Sequence, residues 1–158
     1  MKRAIAPTAL ATLLAIVFVL GFMPKTQADE NEKKECSLAS LRGSFGFTSS
    51  GALVAAPAPL AGPFGEIGRQ TFDGMGNTDG AATLSANGNI RNVTVQGTYV
   101  VNSDCTGSMT LSVAPFGSTV PLDFVIDDDG AELRAIVSSG GAVETRVYRK
   151  QFKRAHEE

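Results

Sequence analysis

The sequence predicts an all-β protein, an antiparallel up-and-down barrel of eight strands. Apolar and polar residues alternate with a period of two through most of residues 36–151, which is the pattern of half-buried strands. Turn-forming pairs such as Asp-Gly, Gly-Asn and Asn-Gly separate these stretches at intervals of about 8 to 13 residues. An eight-stranded meander closes most simply into a barrel, because closure removes unpaired strand edges. A two-sheet sandwich is the alternative.

The N-terminal segment, residues 1–28, has the layout of a secretory signal peptide. A short positive start precedes an almost wholly apolar run, and small residues stand at Thr26 and Ala28, the positions that a signal peptidase reads. We expect cleavage after Ala28 and export to the periplasm or the extracellular space, with no membrane association afterwards. A retained membrane anchor is the alternative, because the apolar run is about 20 residues long.

The remainder of the chain is mildly acidic. Residues 1–28 hold three of the 14 basic residues and none of the 16 acidic ones, so the rest carries a formal charge of −5. This charge argues against nucleic acid as a partner, because nucleic acid requires a basic surface. We expect a disordered charged leader at 29–35, one barrel domain at 36–151 and a charged tail at 152–158.

Cys36 and Cys105 are the only cysteines in the chain. Two cysteines in an exported protein predict one disulfide bond between them. They are 69 residues apart, and a crosslink of that span stabilises a fold by about 4 kcal/mol in the chain-entropy description. Free thiols or a metal-binding pair are the alternative, but neither a CxxC spacing nor a nearby histidine supports it.

The alternation predicts eight strands, in which Val93, Val95 and Tyr99 exemplify the inner face. The predicted strands are 44–50, 64–72, 78–86, 90–101, 106–113, 119–127, 131–138 and 142–148. In the last strand we assign the more apolar set, Val143, Thr145 and Val147, to the inner face. The segments that connect these strands contain Gly, Asn, Asp or Pro, which favour turns.

Two segments do not follow the strand pattern. Residues 36–42 can form one helical turn, with Leu38 and Leu41 on the same face. The segment 51–63 contains three prolines, which argue against a central strand. It is either a loop that folds over one end of the core or an ordinary surface loop.

Three motifs carry a resemblance to known barrels. A short turn followed by Gly43-Ser44-Phe45 resembles the start of the lipocalin-like calycins, with Phe45 in the position of their Trp. The motifs TFDGMGN at 71–77 and GTYVVNSDCTG at 97–107 resemble small exported bacterial proteins of unassigned function that look like calycin or allene-oxide-cyclase-type barrels. The resemblance implies a barrel and export, with no known chemistry. It also implies that Arg146 or Arg149 packs over Phe45.

The sequence contains no recognisable catalytic or metal-binding constellation. The single histidine, His156, lies in the charged tail, so no Ser-His-Asp or Cys-His set can be assembled on it. Asp73, Asn77 and Asp79 lack the third-position ligand of an EF-hand loop, and residues 127–129 precede a hairpin glycine. We therefore expect ordinary turn chemistry at both places, no metal site and no cofactor.

Two polar residues of the predicted inner face could have special roles. Glu66 shares a face with Phe64 and Phe72, but we expect it at the rim or in solvent rather than buried. Tyr99 could offer its hydroxyl to a ligand, although a bond to a backbone carbonyl is the more common arrangement.

The most favoured function is that of a non-enzymatic barrel that binds a small apolar ligand. Its predicted ligand-lining residues are Phe47, Phe72, Tyr99, Met109 and Phe124. Alternatively these residues fill the core, and the protein is a periplasmic or cell-surface interaction module whose loop 51–63 meets a protein or a glycan. A cyclase or isomerase is the third possibility, supported only by the likeness of architecture.

Overall fold

A computed structural model describes residues 35–151, which form a closed β-barrel. Eight antiparallel strands follow one another around the barrel in chain order, and the last pairs with the first. The strands are β1 (Gly43–Leu53), β2 (Gly62–Phe72), β3 (Asn77–Ala86), β4 (Asn89–Val101), β5 (Thr106–Ala114), β6 (Ser118–Asp127), β7 (Glu132–Val137) and β8 (Ala142–Lys150). The predicted barrel is confirmed and the sandwich alternative is wrong.

The predicted signal peptide and tail, and all but the last residue of the predicted leader, lie outside the described residues and stay predictions. Short 3-10 helices occur at Leu38–Leu41 and Asp128–Gly130. Within residues 35–151, no helix is long and apolar enough to span a membrane.

The proline-rich loop is shorter than predicted. β1 continues to Leu53 and β2 begins at Gly62, so only residues 54–61 connect them. Pro63 is the second residue of β2, where the missing N–H of a proline is tolerated. Leu60 of the loop packs against the core, which supports the first of the two alternatives for this segment.

One end of the barrel is closed by the 3-10 helix at Leu38–Leu41. Leu41 is fully buried and Leu38 packs against the core. The Tyr99 hydroxyl donates a hydrogen bond to the Leu38 carbonyl at 3.2 Å, so the more common of its two predicted arrangements is present. The predicted disulfide is also present, and it ties Cys36 to Cys105 in the β4–β5 turn.

We call this end, with its helix and disulfide, the plugged end. The opposite end, formed by the loops 54–61, 87–88, 115–117 and 138–141, is the loop end. The Asn87 and Asn89 side-chain amides both donate to the Pro59 carbonyl, at 3.1 and 3.3 Å, so two loops of the loop end are linked.

Large side chains fill the half of the barrel next to the plugged end. They are Phe45, Phe47, Phe72, Tyr99, Met109, Phe124 and Tyr148, all of them buried. The Phe72 ring makes edge-to-face contacts with the rings of Phe45, Tyr99 and Tyr148, with centroid distances of 5.4, 5.2 and 6.1 Å. Such packing stabilises a core beyond the burial of area alone.

Glycines allow neighbouring strands to approach closely where the barrel wall curves. A Cβ atom added at Gly51 would lie 1.8 Å from the Val143 carbonyl oxygen, and one added at Gly97 would lie 2.1 Å from the Thr110 carbonyl oxygen. Both contacts are with backbone, which cannot move without breaking the strand pairing. These two positions therefore require glycine for the barrel to close as it does.

Removal of the disulfide should destabilise the barrel without changing its fold. For Cys36→Ser/Cys105→Ser we expect the free energy of unfolding to fall by about 4 kcal/mol, because the unfolded chain regains the freedom that the crosslink removes. Urea denaturation with and without a reducing agent measures this. The reducing agent should lower the stability of the wild-type protein and leave that of the double variant unchanged. Equal stability of the wild-type protein and the double variant in the absence of the reducing agent would contradict the expectation.

The need for glycine at position 51 can be tested with a matched pair of substitutions. Gly51→Ala should lower the free energy of unfolding by about 1–3 kcal/mol or more, because the added methyl group meets the β8 backbone. Gly65→Ala is the control, since its nearest neighbour, the Ser49 carbonyl oxygen, is 3.9 Å away. Similar urea midpoints for the two variants would show that the β1–β8 contact can relax.

Candidate functional site

The half of the barrel next to the loop end is lined differently from the plugged half. Its inward side chains are mostly small or medium-sized: Ala82, Leu84, Ala86, Val93, Val113, Val120, Ala135 and Val137, with Phe64 as a larger member. Several residues at the rim, among them Leu53, Leu60 and Val120, are only partly buried. The two halves therefore differ in both the size of their side chains and their closure.

Three charged side chains lie inside this half. Glu66 projects from β2, and Glu144 and Arg146 project from β8; they are 8%, 4% and 4% exposed. Ser49 on β1 pairs in register with Glu66 on one side and with Arg146 on the other, which brings three neighbouring strands together. We call Glu66, Glu144 and Arg146 the charged trio.

The guanidinium group of Arg146 is the centre of the trio. Its Nε donates to Glu144 Oε1, and its Nη2 lies 3.4 Å from Glu66 Oε2. The Ser49 hydroxyl donates to the same Glu66 oxygen at 3.1 Å. The Phe47 ring lies beneath the guanidinium, with its centroid 5.3 Å from Cζ. Among the described residues, the buried Nη1 atom of Arg146 has no hydrogen-bond partner.

Burial decides the electrostatics of the trio. Desolvation raises the pKa of Glu66, and the Arg146 cation only partly opposes this effect. For Arg146, burial by itself disfavours the cation, but the negative charges that Tyr148, Glu144 and Glu66 can carry outweigh it and raise its pKa. Arg146 therefore stays charged, whereas burial favours the neutral form of Glu66.

The site contains residues that the sequence did not predict. Glu66 was expected at the rim or in solvent, and the structure places it inside, where Ser49 and Arg146 are its partners. The predicted inner face of β8 was wrong. Val143 and Val147 are 66% and 37% exposed on the outside, and the alternate residues, including Glu144 and Arg146, are buried.

The aromatic contact implied by the resemblance is made by another residue. Lys150 lies over the Phe45 ring, with Nζ 5.5 Å from the centroid, whereas Arg146 lies over Phe47. Arg149 is exposed on the outer face, where its Nε lies 3.2 Å from Glu132 Oε2. A cation from the last strand does cover Phe45, but it is not one of the two arginines that the resemblance implied.

The five predicted ligand-lining residues are all buried, but one of them stands out. Phe47 contacts the charged trio through Arg146 and the plugged half through Tyr148, with ring centroids 5.2 Å apart. Phe72 and Tyr99 pack against one another, and Met109 Sδ lies 4.0 Å from the Gln70 amide nitrogen. Their role in ligand binding stays a prediction.

The acidic turns have the chemistry expected of turns. The Asp73 carboxylate accepts hydrogen bonds from the backbone N–H groups of Met75 and Asn77 and from the Asn77 side chain. These bonds lower the pKa of Asp73. Asp127 forms an ion pair with Arg134 across the β6–β7 hairpin. Within residues 35–151, no three His, Cys, Asp or Glu side chains are grouped in a way that could hold a metal ion.

No family model matches the sequence, and no curated protein does either. Among solved structures the chain is similar to engineered barrels. A redesigned β-barrel has a TM-score of 0.53 at 15% identity, covering 73% of this chain and 95% of that one. A redesigned β-barrel bound to DFHBI has a TM-score of 0.52 at 17% identity, covering 72% and 97%. A de novo fluorescence-activating β-barrel has a TM-score of 0.54 at 12% identity, covering 73% and 99%.

These similarities show the fold alone, because all three identities are below 20%. They confirm an eight-stranded antiparallel barrel. They assign the chain to no family of natural proteins, the calycins included.

Replacement of Glu66 by a neutral isostere should change how stability depends on pH. Because the pKa of Glu66 is raised in the folded protein, the stability that its protonated form contributes is fully present below the unfolded value of about 4.3 and is lost as pH rises through the raised value. Glu66→Gln cannot ionise. We expect its free energy of unfolding, relative to wild type, to be more favourable at pH 7.5 than at pH 4.

Urea denaturation of both proteins at the two pH values measures this effect. The deciding quantity is the difference between the proteins at each pH, because other carboxylates titrate in both. An identical difference at pH 4 and pH 7.5 would show that Glu66 titrates in the barrel as it does in the unfolded chain.

Proposed function

We propose that the protein is a non-enzymatic carrier that holds a small, mainly apolar molecule in the half of the barrel next to the loop end. The observation that carries the proposal is the charged trio, an ionic group buried in apolar surroundings with one donor, Arg146 Nη1, left without a partner among the described residues. Small apolar side chains around it suit an apolar ligand body.

A purely structural role explains the trio poorly. Burial of an ion pair costs desolvation energy, and apolar residues of the same volume generally stabilise a core as well or better. A buried donor without a partner adds a further cost. Groups of this kind are concentrated at functional sites, where the ligand supplies the missing contact.

The architecture favours entrance of a ligand from the loop end. The plugged end is blocked by Leu41, by the hydrogen bond between Tyr99 and Leu38, and by the disulfide. At the loop end, partly buried apolar residues such as Leu53 and Val120 form the rim, and Leu60 of the loop 54–61 packs over it. Displacement of that loop would give access to the trio.

Binding rather than catalysis is proposed because the site lacks an obvious reactive group. Residues 35–151 contain no histidine, and within them there is no free cysteine. The carboxyl groups of the trio are engaged by Arg146 and Ser49. We also propose export with cleavage after Ala28 and a calycin-like relationship; the apolar N-terminal run supports export, and so does the disulfide, since such bonds persist in oxidising compartments.

Native mass spectrometry of the gently purified protein tests this function. We expect an adduct of one defined mass, which disappears on denaturation. The mass of the denatured chain also reports cleavage after Ala28 and, by a deficit of two hydrogens, the disulfide.

A matched pair of substitutions distinguishes a ligand chamber from a filled core. Ala82 points into the barrel and its neighbour Ala81 points outward. If the chamber holds a ligand, Ala82→Phe should remove the adduct at little cost in stability, and Ala81→Phe should leave both unchanged. A loss of about 1–3 kcal/mol for Ala82→Phe in a protein that never carries an adduct would instead support a filled core and an interaction module.

A further inference from the structure

We infer that the ligand carries a single uncharged hydrogen-bond acceptor, such as a ketone, aldehyde or ester carbonyl, which accepts a hydrogen bond from Arg146 Nη1. This inference rests on the proposed function and specifies the chemical class of the molecule bound. It follows from which donors remain, from the net charge of the trio and from the geometry of the guanidinium.

Among the described residues, the buried side-chain polar atom that lacks a hydrogen-bond partner is a donor. A guanidinium carries only donors. Nε is bonded to Glu144 and Nη2 faces Glu66, so Nη1 is the nitrogen left over. The nearby hydroxyl hydrogens are already engaged, since Ser49 donates to Glu66 and Tyr148 donates to Gln70 Oε1 at 3.2 Å. A ligand that matches the site therefore presents an acceptor to Nη1.

The charge of the trio argues against an ionic ligand. Two carboxyl groups accompany one cation, so the trio carries one negative charge when both carboxyl groups are ionised. A carboxylate or phosphate headgroup would place a further negative charge beside Glu66 and Glu144, inside a wall of low polarity. An ammonium group carries only donors, so it cannot accept a hydrogen bond from Nη1. An uncharged acceptor avoids both conflicts.

The orientation of the guanidinium is fixed before a ligand arrives. Phe47 supports its flat face, and Glu144 and Glu66 hold two of its nitrogens from β8 and β2. The guanidinium plane therefore cannot turn to bind the carboxylate of a ligand through two parallel hydrogen bonds. This preorganisation restricts Nη1 to one direction of approach and lowers the entropic cost of binding an acceptor there.

The test uses the wild-type full chain and a matched series of ligands with one chain length. Decane, 2-decanone and decanoate differ only in the polar group, and isothermal titration calorimetry at pH 7.5 compares their affinities. We expect 2-decanone to bind at least about ten-fold more tightly than decane, because its carbonyl gains a hydrogen bond from a charged donor. We expect decanoate to bind at least about ten-fold more weakly than 2-decanone.

A variant locates the preference at Arg146. Arg146→Lys retains the positive charge but removes Nη1 and the planar fork, so the ketone should lose its advantage over decane. Arg149→Lys, on the outer face of the same strand, is the control and should behave as wild type. If Arg146→Lys does not fold, the wild-type series alone decides.

Each result has a distinct meaning. If none of the three molecules binds, and chain lengths from six to fourteen carbons also fail, the proposed ligand-binding function is wrong. Equal affinity for decane and 2-decanone would agree with the proposed ligand-binding function but would overturn the inference, because Nη1 would then be hydrogen-bonded to water. Tightest binding of decanoate would overturn it as well, since the site would then accept a negative charge.

Discussion

Pairing of β8 with β1 is the interaction on which the rest of the structure depends. It closes the barrel, so the strands within residues 35–151 leave no edge free to pair with another chain. The same pairing places Arg146 beside Ser49, and therefore near Glu66 on the next strand. The close contact of β1 and β8 at Gly51 shows how tightly this seam is built. Without closure, Glu66 would not lie beside Arg146 and Glu144.

The large packed side chains of the core and the residues of the candidate site lie in different halves along the barrel axis. The plugged half holds the interlocked rings around Phe72, the buried helix residue Leu41 and the disulfide. The half next to the loop end holds smaller apolar side chains and the charged trio. An eight-stranded barrel has an interior that side chains can fill or that can hold one small ligand. A firmly packed half allows the other half to carry a group that does not stabilise the fold.

The trio illustrates how a buried charge is accommodated. Glu144 compensates Arg146 within the same strand, and Glu66 adds a second carboxyl group whose pKa burial raises. Phe47 joins the trio to the aromatic packing of the plugged half. A change in the charge of Glu66 therefore acts, through Arg146 and Phe47, on residues of both halves.

The sequence by itself determined the barrel, its eight strands and the disulfide. The alternation of apolar and polar residues, the turn residues and the number of cysteines can be read along the chain without knowing which strands are neighbours. Tertiary structure alone decided which face of β8 is inside. Hydropathy favours burial of Val143 and Val147, but the register with β1 turns Arg146 and Tyr148 inward, and a shift of one residue exchanges the two faces. Burial of Arg146 is tolerable because two carboxyl groups face it: Glu144 on the same strand and Glu66 on a strand distant in sequence.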